Sequence, residues 1–159
     1  MNLTGKIAVV TGASQGLGYA IAHRFVQEGA SVLLCARTAD GLEGAAERVR
    51  AAAATGTQVL AEPADVSSEA DVNRLAKIIE RQFGKLDILV SNAAVLGPKG
   101  AIDEVPWQAW SQTISVNLLG TALCCISTLA SAGDARKDPA SFRGRRHQTH
   151  AVSERLCRL

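Results

Sequence analysis

The stretch Thr11-Gly12-Ala13-Ser14-Gln15-Gly16-Leu17-Gly18 constrains this chain more than any other, because of what stands on either side of it. Before it comes the β-branched run Ile7-Ala8-Val9-Val10-Thr11; after it, Ile21, Ala22, Phe25 and Val26 recur at helical spacing as far as about Glu28. A strand, a tight glycine-rich turn and a helix are predicted in that order. The turn then coincides with a helix N-terminus, where unpaired N–H groups and a partial positive charge point outward and can hold a pyrophosphate. Gly12 and Gly16 permit backbone angles and a close approach that a Cβ would block, and Gly18 lets the helix pack on the strand. The Ser14 hydroxyl can donate to a phosphate oxygen, and Gln15 and Leu17 complete the candidate turn. Many turns are glycine-rich for packing reasons alone, so the company this one keeps decides its meaning.

That company is a repeating strand–helix unit. Gly29 closes the first helix, and Ser31-Val32-Leu33-Leu34-Cys35-Ala36 follows as a strand apolar on both faces, the mark of a buried parallel sheet. A helix is predicted near Gly41 to Ala54, a strand around Gln58 to Leu60, and a helix opened by Ser67-Ser68-Glu69 that carries Val72, Leu75, Ile78 and Ile79. A strand from Leu86 to Ser91 and a helix from about Trp107 past Leu119 complete the series. The predicted class is α/β, a Rossmann-type doubly wound parallel sheet truncated after about four strands. The 159 residues suit one domain, and 47% hydrophobic residues with only 4% aromatics fit thin strands under closely packed helices. Residues 1–125 are expected to form an incomplete dinucleotide-binding domain. Residues 126–159 lack periodicity and are expected to be a non-native or disordered basic tail.

Thr-Gly-x-x-x-Gly-x-Gly after the first strand, Asp65-Val66 after the third, Ser91-Asn92-Ala93-Ala94 after the fourth and Val116-Asn117 in the next helix together resemble the short-chain dehydrogenase/reductase family, over about residues 3–125. The resemblance implies that the Asp65 carboxylate accepts from the adenine amino group, that Val66 lines the adenine pocket, and that Asn92 with Ala93 supports the cofactor. The family usually shows Asn-Asn-Ala-Gly at the last site, so Ser91 and Ala94 are departures. The plainer alternatives are a solvated loop acid at Asp65 and a turn amide at Asn92. An NAD-preferring site places an acid at the end of the second strand to accept from the ribose hydroxyls. Here that end reads Leu34-Cys35-Ala36-Arg37, and the Arg37 guanidinium stands where the 2′-phosphate of NADP would lie. NADP(H) is the expected cofactor, with NAD(H) the alternative; an ordinary solvated arginine is the competing reading.

Catalysis in the family needs a Tyr, a Lys four residues later and a Ser. The single tyrosine here is Tyr19, in the helix after the glycine turn, with no such lysine behind it. Asn117 matches the family's helix Asn, which holds a water in the proton relay; a helix-surface amide is its alternative. Catalysis is therefore expected to be absent from the chain as written. The intact family would take a small-molecule carbonyl or alcohol.

Charge is uneven. Residues 1–130 hold ten Lys and Arg against twelve Asp and Glu, whereas residues 131–159 hold seven against three. A nucleic-acid arm is one reading of such a tail and a non-catalytic NADP(H)-binding module is a second reading of the whole, but a shifted reading frame accounts for the tail without a partner. Permitted codons for Ala151 to Leu159 and a following stop, read one base later, spell Pro-Phe-Leu-Ser-Ala-Tyr-Ala-Ala-Ser-Lys, which contains Tyr-x-x-x-Lys. Those for Phe142 to His150 yield Ser-Gly-Gly-Gly-Ala-Thr-Lys-Pro-Met, similar to the family's catalytic-serine segment. The shift is placed between about Thr121 and Ile126.

Cys35, Cys124, Cys125 and Cys157 have neither zinc-site spacing nor the density of a secreted disulfide framework, so no metal is expected and the thiols are read as reduced. No signal peptide and no run of about 18 apolar residues is apparent, so a cytoplasmic protein without membrane or nucleic-acid partners is expected. The family's homo-oligomers are doubtful here, because the helices that build them are partly or wholly missing. Loss of the strands after Leu86–Ser91 would also leave a bare sheet edge and low stability. The gene across codons 115 to 165 is expected to spell the serine and Tyr-x-x-x-Lys segments one base on; codons that spell neither overturn the frameshift.

Overall fold

Ile7–Thr11 (β1) and Ser31–Ala36 (β2) are buried along almost their whole length, as strands covered on both faces must be. The computed structural model describes residues 2–131. Between and after these strands come α1 (Gly16–Gln27), α2 (Ala39–Ala51), β3 (Val59–Pro63), α3 (Glu69–Phe83), β4 (Ile88–Val90), α4 (Trp107–Ile114), a π-helical turn (Ser115–Leu119) and α5 (Gly120–Ser131). The four strands are parallel, in the order β3-β2-β1-β4. The α/β, Rossmann-like fold predicted from the repeating pattern is the one observed.

Register explains the layers. Val9 pairs with Leu33 and Leu89, and Leu33 with Leu60, so one apolar row crosses the sheet; this row packs with Leu75 and Ile79 of α3. The next row, Val10, Leu34, Ala61 and Val90, points to the other face, where Ala22 and Val26 of α1 and Leu42, Ala45 and Val49 of α2 meet it. Strand period two and helix period 3.6 thus bury the same apolar set from both sides. The chain steps from β1 outward to β3, then returns to place β4 on the far side of β1. The point between β1 and β4 is where the winding reverses, and crevices open there at the carboxyl ends of the strands.

Several boundaries differ from the sequence expectation. The third strand runs on to Pro63 rather than stopping at Leu60, because its partner β2 continues to Ala36 and offers pairing as far as Pro63. The second helix starts at Ala39, immediately after Thr38, and ends at Ala51. The fourth helix continues past the boundary expected at 125 to Ser131. Its hydroxyl residues fit a helix because Thr128 donates to the Cys124 carbonyl (2.7 Å) and Ser127 to Asn73 of α3 (3.2 Å). Residues 132–159, with the expected serine and Tyr-x-x-x-Lys segments of the shifted frame, lie outside the described residues. Trp107–Thr128 is long and apolar enough by length and composition to cross a membrane, yet Val116 and Cys124 on it pack against Val66 and Val72.

Two contacts fix how the sheet presents its carboxyl ends. At the amino end, Asp87 accepts from the Ile7 N–H (2.9 Å), from Lys85 (3.0 Å) and from Lys6 (3.3 Å), which anchors β4 beside β1. Burial opposes ionisation of this carboxyl, but the Ile7 N–H and the two lysines outweigh it and hold its pKa below the ordinary 3.8. At the other end, Gly120 lies so close to Val66 that a Cβ there would stand 2.9 Å from both the Val66 Cγ2 and its carbonyl oxygen.

Asp87→Asn is expected to cost about 1–2 kcal/mol in urea unfolding at neutral pH. A depressed folded pKa contributes stability above the unfolded value that is lost as pH falls through the folded one, so the difference should begin to shrink near about pH 4 and close only once the pH lies below the lowered pKa. Gly120→Ala is expected to cost about 1–3 kcal/mol, since backbone as well as side chain stands in the way.

Candidate functional site

At the carboxyl ends of the strands a cleft of about 300 Å³ opens, lined by Gly12, Ser14 and Gln15 of the glycine turn, Cys35, Ala36, Arg37 and Thr38 at the end of β2, Ala64 and Val66 after β3, Ala93, Ala94 and Val95 after β4, and Val116. All four strand ends contribute. Backbone curvature brings the turn over the cleft because Gly12 and Gly16 take φ of 65° and 59°, and the Ala13 N–H donates to the Cys35 carbonyl (3.0 Å), tying the turn to β2.

Thr11 holds the floor. Its side chain is buried in an otherwise apolar strand, and its Oγ1 accepts from the N–H groups of Asn92 (3.1 Å) and Ala93 (3.0 Å) and donates to the Val90 carbonyl (3.4 Å). The Asn92 side chain returns the link, its Nδ2 donating to the Thr11 (3.0 Å) and Gly12 (3.2 Å) carbonyls. A Cβ on Gly12 would stand 2.9 Å from the Ala93 Cα, and one on Gly18 would stand 2.4 Å from the Gly12 oxygen and 2.5 Å from Asn92 Nδ2. These glycines therefore leave room for the clamp.

Chemically, the cleft combines three surfaces. The start of α1 has Gln15 as its N-cap with no side-chain hydrogen bond closing it, so the first N–H groups of that helix face the turn unblocked by a cap side chain. Ala36, Ala64 and Val66 give the cleft small apolar walls. Arg37, exposed, supplies a positive charge at the mouth. Asp65, between two lining residues, has its pKa lowered by the Ser67 hydroxyl and N–H, with burial opposing and Arg37 adding to the effect. Burial pushes the Cys35 thiol up to about 12, with Cys124 adding to the rise, and burial pushes Cys124 up to about 11. Both are neutral thiols at physiological pH, and Cys35 brings no nucleophile to the cleft.

Of the residues singled out from sequence, Gly12, Ser14, Gln15, Arg37, Val66 and Ala93 line the cleft. Gly16, Leu17 and Gly18 sit beside it in the first turn of α1, with Leu17 exposed, and Asp65 adjoins it. Asn92 braces the turn from behind. Asn117 lies in the π-helical turn, its carboxamide accepting from the Val95 N–H (2.9 Å) and donating to the Val95 carbonyl (3.0 Å), while its own carbonyl accepts from Thr121 (3.0 Å). Asn117 thus fastens the segment after β4 to the long helix. The sequence assigns Thr11 no role beyond its place in the glycine motif; a lone hydroxyl at the end of an apolar strand is the one local signal of its task. Among the described residues no group of three or more His, Cys, Asp or Glu could hold a metal.

Known proteins resemble this chain in sequence and in fold. The family model of the short chain dehydrogenases matches residues 6–137, past the boundary at 125 and the 121–126 window expected for a frame change. The cis-4-hydroxycyclohexanecarboxylate dehydrogenase of Sinomonas cyclohexanicum is 38% identical over 119 residues, which are 75% of this chain and 46% of that protein. A rhamnolipids biosynthesis 3-oxoacyl-[acyl-carrier-protein] reductase of Pseudomonas aeruginosa is 37% identical over 77% of this chain and 46% of its own length. The structure of L-sorbose reductase from Gluconobacter frateurii, complexed with NADPH and L-sorbose, superimposes with a TM-score of 0.77 at 32% identity, covering 83% of this chain and 49% of that one. An NAD+-bound xylitol dehydrogenase also gives 0.77, at 27% identity, over 82% of this chain and 49% of that one. The chain spans about half the length of the relatives it matches. With its glycine turn, its parallel sheet and this match over most of its length, the chain belongs to the short chain dehydrogenase family.

Proposed function

We propose that this chain is the NADP(H)-binding portion of an oxidoreductase that moves hydride between NADP(H) and a carbonyl or alcohol. The observation that carries the cofactor preference is Arg37 at the mouth of the cleft, at a strand end with no acid to receive a ribose diol. The residues fit a dinucleotide: Gly12, Ser14 and Gln15 of the turn line the cleft, and α1 starts with N–H groups not closed by a side-chain cap. Gly12, Ser14, Gln15, Gly16, Leu17 and Gly18 would hold the diphosphate, Arg37 the 2′-phosphate, and Asp65, Val66 and Ala93 the adenine end. When bound, the nicotinamide supplies or accepts the hydride.

What the chain's own residues do is bind and orient. Thr11 and Asn92 hold the diphosphate turn against β4, and Asn117 holds Val95 at the far wall, so ligand binding would not have to order either segment. An ionised Asp65 offers acceptors only, and a guanidinium offers donors only, so the two ends of an adenosine 2′-phosphate meet complementary groups.

A second reading, a binding module without turnover, is favoured by the placement of Tyr19, the single tyrosine: Arg48 lies over its ring at 5.1 Å, and it packs against the α1–α2 core on the sheet face opposite α3. Residues 1–125 are proposed as the binding unit, in the cytoplasm, with homo-oligomers left to the whole protein.

Fluorescence titration is expected to show NADPH bound more tightly than NADH. Arg37→Ala should weaken NADPH roughly tenfold to a hundredfold while leaving NADH nearly unchanged. Equal affinities for the two in the unchanged chain would defeat the preference, and no affinity for either at millimolar concentration would defeat the cofactor assignment. Reduction of a carbonyl by this 159-residue chain would defeat the module reading.

A further inference from the structure

Asp65 is held unusually firmly for a loop carboxylate. Its Oδ1 accepts from both the Ser67 N–H (2.8 Å) and the Ser67 hydroxyl (2.6 Å), whereas Oδ2 takes none of the hydrogen bonds formed among the described residues. The backbone beneath is pinned as well: the Asp65 N–H donates to Asp71 (2.9 Å), the Ser68 N–H donates to the Asp65 carbonyl (3.0 Å), and the Ser68 hydroxyl caps α3 by accepting from the Asp71 N–H (3.3 Å). Ser67 itself is exposed and takes no part in the core, so packing does not account for its position. Ala64 and Val66 on either side of Asp65 line the cleft.

We propose that Ser67 is a positioning residue for base recognition: by occupying Oδ1 twice it fixes the Asp65 carboxylate with Oδ2 as the one acceptor left for a purine, which selects a base bearing an exocyclic amine over one bearing a carbonyl at that edge. The inference rests on the cofactor reading above and adds the identity of the residue that sharpens it. An ionised carboxylate accepts and cannot donate, so adenine's amino group satisfies it, whereas hypoxanthine turns a carbonyl oxygen to the same point and carries its donor on that edge, the N1–H, one ring atom further along. A free carboxylate could rotate or take a proton to escape that mismatch. Two donors on Oδ1 oppose rotation, and they also hold the group ionised, as its lowered pKa reflects.

The test compares NADPH with its reduced hypoxanthine analogue, titrated by fluorescence against the full chain. The unchanged protein is expected to favour NADPH by roughly tenfold or more, as a hydrogen bond to a charged group would give. Ser67→Ala should cut that ratio by about fivefold, Ser67→Thr should preserve it because the hydroxyl and N–H remain, and Asp65→Asn should level the two ligands, since an amide both donates and accepts. Ser67→Gly serves as the second variant should circular dichroism show the alanine form unfolded. Equal weakening of both ligands by Ser67→Ala, or an unchanged ratio, overturns the positioning role while leaving the cofactor assignment standing. Failure of the unchanged chain to bind either ligand overturns both.

Discussion

The Thr11 hydroxyl is the point on which the binding end of this molecule depends. Parallel strands joined by crossovers have no hairpin to align their carboxyl ends, so β1 and β4, separated by about eighty residues of chain, are brought level there by a side chain. Oγ1 can accept twice and donate once, and all three capacities are used on β4 and the residues after it. The Thr11 side chain is buried, and losing its hydroxyl would remove the acceptor of two N–H groups, those of Asn92 and Ala93. Asn92 completes the tie from the opposite side.

From that tie the shape of the cleft follows. With the turn fixed over the end of β4, Gly12 has Ala93 beneath it and Gly18 has the Asn92 amide beside it, at separations no Cβ could share. The opposite wall is set by a second close approach, Gly120 against Val66, which draws the long helix toward the end of β3. The π-helical turn just before Gly120 contains Asn117, whose carboxamide pairs with both backbone groups of Val95. These close approaches and the two amide bridges thus tie together the segments that follow β1, β3 and β4.

Electrostatics then sorts the cleft into regions. The start of α1 is positive by its geometry, Arg37 is positive by its side chain, and Asp65 is kept negative by Ser67. The buried thiols stay neutral because desolvation disfavours their thiolates. A ligand with phosphates at two points and an amine at a third matches this pattern.

Much of this could be read in one dimension. Val9 and Val10, Leu33 and Leu34 announce strands buried on both faces, and the 3.6 period of Ala22, Val26, Leu75 and Ile79 announces the helices that bury them, because periodicity is a local property of the chain. The glycine turn was equally legible, since its spacing and its place between strand and helix are local too. The extension of strand β3 to Pro63 and of the last helix to Ser131 is not legible locally because each is settled by a partner, β2 in one case and Asn73 of α3 in the other. The tasks of Thr11, Asn92 and Asn117 were decided only in three dimensions: a hydroxyl or an amide has the same identity whether it meets solvent, a ligand or the backbone of a distant loop, and only the fold determines which of these lies within reach.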